Sequence, residues 1–364
     1  MTTGALLSAG TRFDREFEIV RLLGEGGMGA VYLAKRGKFE QLVALKTLRA
    51  DLAKKPDQRA RFDREARAAA RLQTRHVPRV LDVGEGPGGV PYLVLEYLDG
   101  VDLAHVLDGG PLDITDAARW VGQACEALVE AHALGIVHRD LKPANLFLTN
   151  TGDGSQEIRV LDFGLAHTRN SRLTDPSVAM GTPDYMAPEQ IRAGKLDGRT
   201  DVWALGVTLF ELLTGTRPFV GETPGAKLFA VTGSPPLRVT DVASGRRVPK
   251  RLADLVASCL EKKVDDRLPN VIELGAALAP FYGADAKITR AKLEQIHDQA
   301  KVGHARRRAA RRARDASVRP PAPRTPRRWP RYVIAALAIF VALVAAIDIG
   351  RGLTRRQTSS AHAR

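Results

Sequence analysis

The chain has 364 residues, an apolar share of 44% and two cysteines, Cys125 and Cys259, which suits one large or two coupled globular domains and excludes a disulfide framework or a cysteine-held zinc site. Its formal charge of +14 is local, because residues 306–364 hold 15 Arg and 2 Asp and leave 40 basic against 39 acidic side chains in residues 1–305. The body of the chain is therefore not a basic nucleic-acid binder. Met1–Gly10 lacks the basic start and long apolar run of a signal peptide, so the first part of the chain is expected to stay in a reducing, cytosolic compartment.

Alternation in Phe17-Glu18-Ile19-Val20-Arg21-Leu22 and again in Val31-Tyr32-Leu33-Ala34 predicts a small antiparallel sheet from Phe13 to about Lys46, with a glycine turn between strands. Residues 57–73, rich in Ala and Arg, predict a helix, and Val80–Val83 and Tyr92–Glu96 predict two more strands. Beyond Gly100 the pattern turns helical, with long segments near 113–134, 200–214 and 250–261. The fold class is α+β, a β-rich front followed by a helical back.

Residues 283–331 read as a basic linker, with helix-forming and basic residues up to 315 and then a Pro- and Arg-rich run that breaks regular structure. Tyr332–Ile349 carries one charge, Asp348. As a helix it spans roughly 27 Å, enough for a bilayer core, and a transmembrane helix is expected there. The plainer reading is a buried core helix, but no further domain follows to bury it. Eleven Arg lie between 306 and 331 and four after the apolar run, so the positive-inside rule puts the preceding domain in the cytoplasm and residues 350–364 outside. The arginines would also attract anionic lipid, while Trp329 and Tyr332 suit a membrane interface better than nucleic acid. Ala335, Ala338, Ala342 and Ala345 would let two such helices pack into a homodimer, although alanine runs are more often filler.

Gly24-Glu25-Gly26-Gly27-Met28-Gly29 fits G-x-G-x-x-G. Alone this is a weak signal, but a strand rather than a helix is predicted to follow, which argues against a dinucleotide fold and for a hairpin that folds over phosphates. Val43-Ala44-Leu45-Lys46 then brings a lysine to the end of a strand, and Glu65 on the 57–73 helix is its expected ion partner. Singly, each would be surface charge. The deciding run is Ile136-Val137-His138-Arg139-Asp140-Leu141-Lys142-Pro143-Ala144-Asn145, followed by Leu161-Asp162-Phe163-Gly164 and Ala187-Pro188-Glu189.

With these motifs in this order, residues 13–282 resemble the eukaryotic-type (Hanks-type) serine/threonine protein kinases, and the glycine-loop variant together with the kinase, linker and single-helix order looks like bacterial members. The resemblance implies a two-lobed fold, with residues 13–98 as the smaller lobe and 99–282 as the larger. It implies transfer of the γ-phosphoryl group of ATP to Ser or Thr hydroxyls of protein substrates, with magnesium, or manganese in its place. Asp140 would orient the attacking hydroxyl and take its proton. Lys142 would neutralise the transferring group, and its presence marks serine/threonine specificity. Asn145 and Asp162 would hold the metal with oxygen ligands, and Lys46, paired with Glu65, would contact the α- and β-phosphates. ATP would be bounded by Leu23, Gly24, Glu25, Gly26, Gly27, Met28, Gly29, Val31 and Ala44, and by the hinge at Glu96 and Leu98, with Leu95 behind. Gly181-Thr182-Pro183-Asp184-Tyr185-Met186 resembles the substrate-facing loop of the same class.

Other residues take structural roles by the same resemblance. His138 would be a packed loop histidine, Asp201 and Trp203 an anchor below the catalytic loop, Glu189 a partner of Arg267, and Cys125 a small apolar core residue. Arg139, a cation beside Asp140, invites an anion, and phosphorylation between Gly164 and Ala187 would supply one, first at Thr174 or Ser177 and then at Thr168 or Ser171. A nucleotide-binding scaffold without activity would be favoured by loss of Lys46, Asp140 or Asp162, and all three are present.

Overall fold

The computed structural model describes residues 6–163, 183–243 and 247–317. The first strands form an antiparallel meander: β1 (Arg12–Phe13), β2 (Phe17–Glu25), β3 (Gly29–Arg36) and β4 (Gln41–Leu48). Two helices, α1 (Ala50–Ala53) and α2 (Pro56–Ala69), precede β5 (Val80–Gly86) and β6 (Val90–Glu96). The six strands lie in the order β1-β2-β3-β4-β6-β5. Phe13, Phe17, Ile19, Tyr32, Val43, Leu45 and Tyr92 form one core on this sheet. Phe62 and Ala66 of α2 pack with Leu48 and Leu93 in a second. Truncating a buried Phe of this kind costs about 3–5 kcal/mol, so Phe62 is a main tie between α2 and the sheet.

The second lobe begins with β7 (Gly100–Asp102), α3 (Leu103–Leu107) and α4 (Ile114–Ala133), and β7 joins β8 (Leu146–Asn150) and β9 (Gln156–Val160) in a three-stranded sheet. It continues through α5 (Pro188–Ile191), α6 (Gly198–Thr214), α7 (Pro224–Gly233), α8 (Val239–Val242), α9 (Lys250–Cys259) and α10 (Val271–Leu278). Every residue of α6 from Thr200 to Leu213 is buried, which makes it the pillar of the lobe; an amphipathic surface helix would bury one face only. Trp203 on it stacks on Phe219 at 5.4 Å.

The expected linker departs from expectation at its start. Residues Ala286–Ser317 form one helix, α11, whose N-terminus is capped by Asp285 accepting from the backbone of Lys287 and Ile288. Leu293, Ile296 and Ala300, spaced three and four apart, pack on the core of the helical lobe. The compact unit therefore runs to Ala305, past the boundary expected at 282. Ala, Lys and Arg are strong helix formers, and an apolar stripe among them suffices to dock. Residues 306–364 form a second unit. The apolar run 332–349 lies outside the described residues, and among those described no helix is long and apolar enough to cross a membrane.

Candidate active site

The turn between β2 and β3 is closed by backbone bonds between Gly26 and Gly29, N to O at 2.9 Å and 3.3 Å. Its glycines answer to different demands. A Cβ on Gly29 would stand 1.9 Å from the Thr47 carbonyl oxygen, so close packing of β3 on β4 requires glycine there. On Gly24, Gly26 or Gly27 a Cβ would meet nothing within 4 Å. Among the described residues no contact explains those three, whereas close approach of a ligand's phosphates to bare backbone would. Met28 packs instead against the cluster holding Phe62 and Leu48, which ties the turn to α2. Leu23 and Glu25 are exposed on β2, and Val31 pairs with Lys46 across β3 and β4.

Lys46 lies between two carboxylates, Nζ to Glu65 Oε1 at 2.5 Å and to Asp162 Oδ1 at 2.6 Å. Burial alone would lower the lysine's pKa. The Asp162 and Glu65 charges outweigh it and raise its pKa above the ordinary lysine value. In return, the Lys46 ammonium holds the Asp162 carboxyl below the ordinary carboxylate range against its desolvation. Lys46 and Asp162 are thus ionised at neutral pH, and the Lys46–Glu65 pair joins α2 to the strand of Lys46.

Lys142 Nζ is 2.9 Å from Asp140 Oδ2. Asn145 donates its amide nitrogen to the Asp140 carbonyl at 2.6 Å and to the Asp140 carboxylate at 3.3 Å, which leaves the amide oxygen for a cation. With Asp162 it offers the hard oxygen donors that magnesium prefers.

The catalytic loop is held from below. Asp201, fully buried on α6, accepts from the backbone N–H groups of His138 and Arg139 at 2.9 Å each and faces His132 Nε2 at 2.7 Å. Burial opposes its charge, but these partners hold its carboxyl below the ordinary range. His138 is buried, its Nε2 2.9 Å from the Leu161 carbonyl and its ring 4.9 Å from that of Phe163. Arg139 and Asp162 both have left-handed backbone, φ 69° and 51°. Such residues cost about 1–3 kcal/mol each and persist where surroundings overdetermine them. Asp201 does this for Arg139, and Lys46 for Asp162.

At the hinge, Ala44 pairs with Leu95 and Val43 with Glu96. The Glu96 carboxylate is engaged by Arg79 at 3.1 Å and Arg159 at 3.5 Å, so a ligand there meets its backbone. At the cleft between the lobes Lys46 meets Glu65 and Asp162, Asp140 meets Lys142 and Asn145, and Leu161, next to Asp162, donates its backbone N–H to the Asn145 carbonyl, while Glu189 pairs with Arg267 at 2.7 Å and 3.0 Å in the interior. Sequence reading missed a network beneath the substrate-facing loop. Tyr185 donates to Glu211 at 2.5 Å, Arg217 bridges Glu211 and Asp184, and Lys227 reaches Asp184 at 2.8 Å. Gln190 also donates to the Arg139 carbonyl at 2.9 Å. All of these pairs but Arg217–Glu211 join residues at least 26 positions apart in the chain, and no local pattern signals them. Thr168, Ser171, Thr174 and Ser177 lie outside the described residues.

A β-rich lobe and a helical lobe meeting at such a cleft define the two-lobed protein kinase fold. Residues 17–274 match the protein kinase domain family, and the chain belongs to it. It is 39% identical over 280 residues to the serine/threonine-protein kinase Pkn1 of Myxococcus xanthus, covering 75% of this chain and 40% of that protein. With the serine/threonine-protein kinase PknB of Mycolicibacterium smegmatis it shares 38% identity over 297 residues, covering 79% of this chain and 45% of that one. The chain thus spans less than half the length of these relatives. Among solved structures, the PknI kinase domain of Mycobacterium tuberculosis is 30% identical at a TM-score of 0.58, covering 76% of this chain and all of that one.

Proposed function

We propose that this chain is an ATP-dependent serine/threonine protein kinase that phosphorylates protein substrates and is held at a bacterial membrane by residues 332–349. The observation that carries the reading is the pairing of Lys46 with Glu65 and Asp162 together with the contacts of Asp140 to Lys142 and Asn145. Asp140 orients the attacking hydroxyl and accepts its proton. Lys142, beside it, offsets the charge that builds on the transferring group, and preorganised charge of this kind usually contributes most of the rate enhancement in such catalysis. Lys46 holds the α- and β-phosphates, fixed in place by Glu65. Asn145 and Asp162 would hold magnesium, or manganese, which when bound neutralises phosphate charge. The backbone of Gly24, Gly26 and Gly27 closes over the phosphates, with Ala44 and the Glu96–Leu98 backbone against the base.

The test is phosphopeptide and intact-mass analysis of the full chain incubated with magnesium and ATP, beside Asp140→Asn. Phosphate on Ser or Thr of the wild type alone is expected, with the variant down by roughly a thousandfold or more in rate; equal incorporation by both removes the reading. We further propose that the kinase switches itself on by autophosphorylation at Thr174 or Ser177. Thr174→Ala with Ser177→Ala should lower activity toward an added substrate severalfold, and undiminished turnover would remove this part.

A further inference from the structure

The Glu65–Lys46 pair depends on where α2 sits, and the loop that follows α2 is fastened to the helical lobe. The backbone N–H groups of Gln73 and Thr74 donate to the buried Glu130 of α4 at 2.7–3.1 Å. His76, 1% exposed, meets the Ile158 carbonyl through Nδ1 at 2.8 Å and Glu126 through Nε2 at 3.4 Å. Arg71 donates to the Leu134 carbonyl at 3.2 Å.

The helix α11 grips this loop at both ends. Lys292 Nζ lies 2.6 Å from Glu126 Oε1, the other oxygen of the carboxylate that faces His76. His304 Nδ1 lies 3.4 Å from the Arg71 guanidinium. Between these contacts Leu293 is fully buried in a notch that α10 opens by carrying Gly275, where a Cβ would stand 2.7 Å from Leu293 Cδ1. Burial would raise the Glu126 carboxyl, yet His76 and Lys292 hold it down to about 2. The contact is therefore a bridge from α11 through the ionised Glu126 carboxylate to His76.

We propose that the docked part of α11, residues 286–305, is a positioning element of the catalytic centre. Lys292, through Glu126 and His76, and His304, through Arg71, hold residues 70–76, which set α2 and so the Glu65–Lys46 pair. The inference rests on the kinase reading for its kinetic consequence. Because α11 runs on toward the arginine-rich segment, whatever engages that segment has a route to the active site.

The experiment compares the full chain with Lys292→Glu/His304→Ala and with Lys292→Arg, reading kcat and KM for ATP together with hydrogen exchange. In the double variant kcat/KM should fall about tenfold, equivalent to about 1.4 kcal/mol in the barrier. Exchange should quicken in α2 and residues 70–76 while α6 stays protected, and Lys292→Arg should behave as wild type. A folded double variant within twofold of wild type, or faster exchange confined to α10 and α11, overturns the proposal. Should the double variant fail to fold, His304→Ala alone decides by the same exchange readout. A wild-type chain without phosphotransfer would sink the kinase reading, and exchange in α2 would still decide the coupling.

Discussion

Glu126 shows at the residue scale how position gives one carboxylate its role. Its carboxyl is held down to about 2 against an ordinary 4.5, so its pairs with His76 and Lys292 contribute stability that is complete above pH 4.5 and is lost as pH falls from there through about 2. Glu126→Gln should melt lower than wild type at pH 7 and lose less on acidification across that window. Calorimetry at a series of pH values checks this, and parallel curves for the two proteins would refute it. Asp201 is the neighbouring case of a buried carboxylate kept ionised, here by two backbone N–H groups and a histidine.

The hairpin of β2 and β3 is an element in which one motif serves two purposes. Gly29 is demanded by the Thr47 carbonyl against it, whereas Gly26 faces open space. Gly29→Ala should therefore lower the melting temperature by several degrees, because backbone cannot yield as a side chain would. Gly26→Ala should leave the melting temperature unchanged and raise KM for ATP severalfold. Equal melting losses in the two variants would show that the turn's glycines are structural alone. The α11 helix illustrates the opposite relation: a segment that reads as linker becomes part of the lobe because Leu293 enters a notch beside Gly275 on α10 and Ile296 and Ala300, at helical spacing from it, pack on the same core.

For the whole molecule, the division at Ala305 separates a nearly neutral catalytic unit from a tail with a surplus of arginine. If residues 332–349 cross a bilayer as proposed, the intact chain sediments with membranes and a chain ending at Ala305 remains in the supernatant. The comparison is made by fractionation with a salt wash, which strips purely electrostatic attachment. Equal partition of the two chains would count against the membrane helix.

The sequence by itself determined the lobes and the chemistry. Alternation in the first strands, the helical segments near 113–134, 200–214 and 250–261, and the short motifs around Lys46, Asp140 and Asp162 are local patterns, and local patterns carry backbone preference and functional-group identity, whereas the short sheet of β7, β8 and β9 was not expected. It also carried the Glu189–Arg267 pair, through resemblance rather than spacing. Only the tertiary structure decided which glycine of the turn is packed and which is open, that Glu96 turns its carboxylate to Arg79 and Arg159, and that α11 reaches Glu126 and Arg71. The Asp184–Arg217–Glu211–Tyr185 network belongs to the same group. Apart from Arg217–Glu211, these are contacts between residues separated by tens to hundreds of positions, and side-chain partners at that distance are selected by packing of whole elements, which no window of sequence encodes.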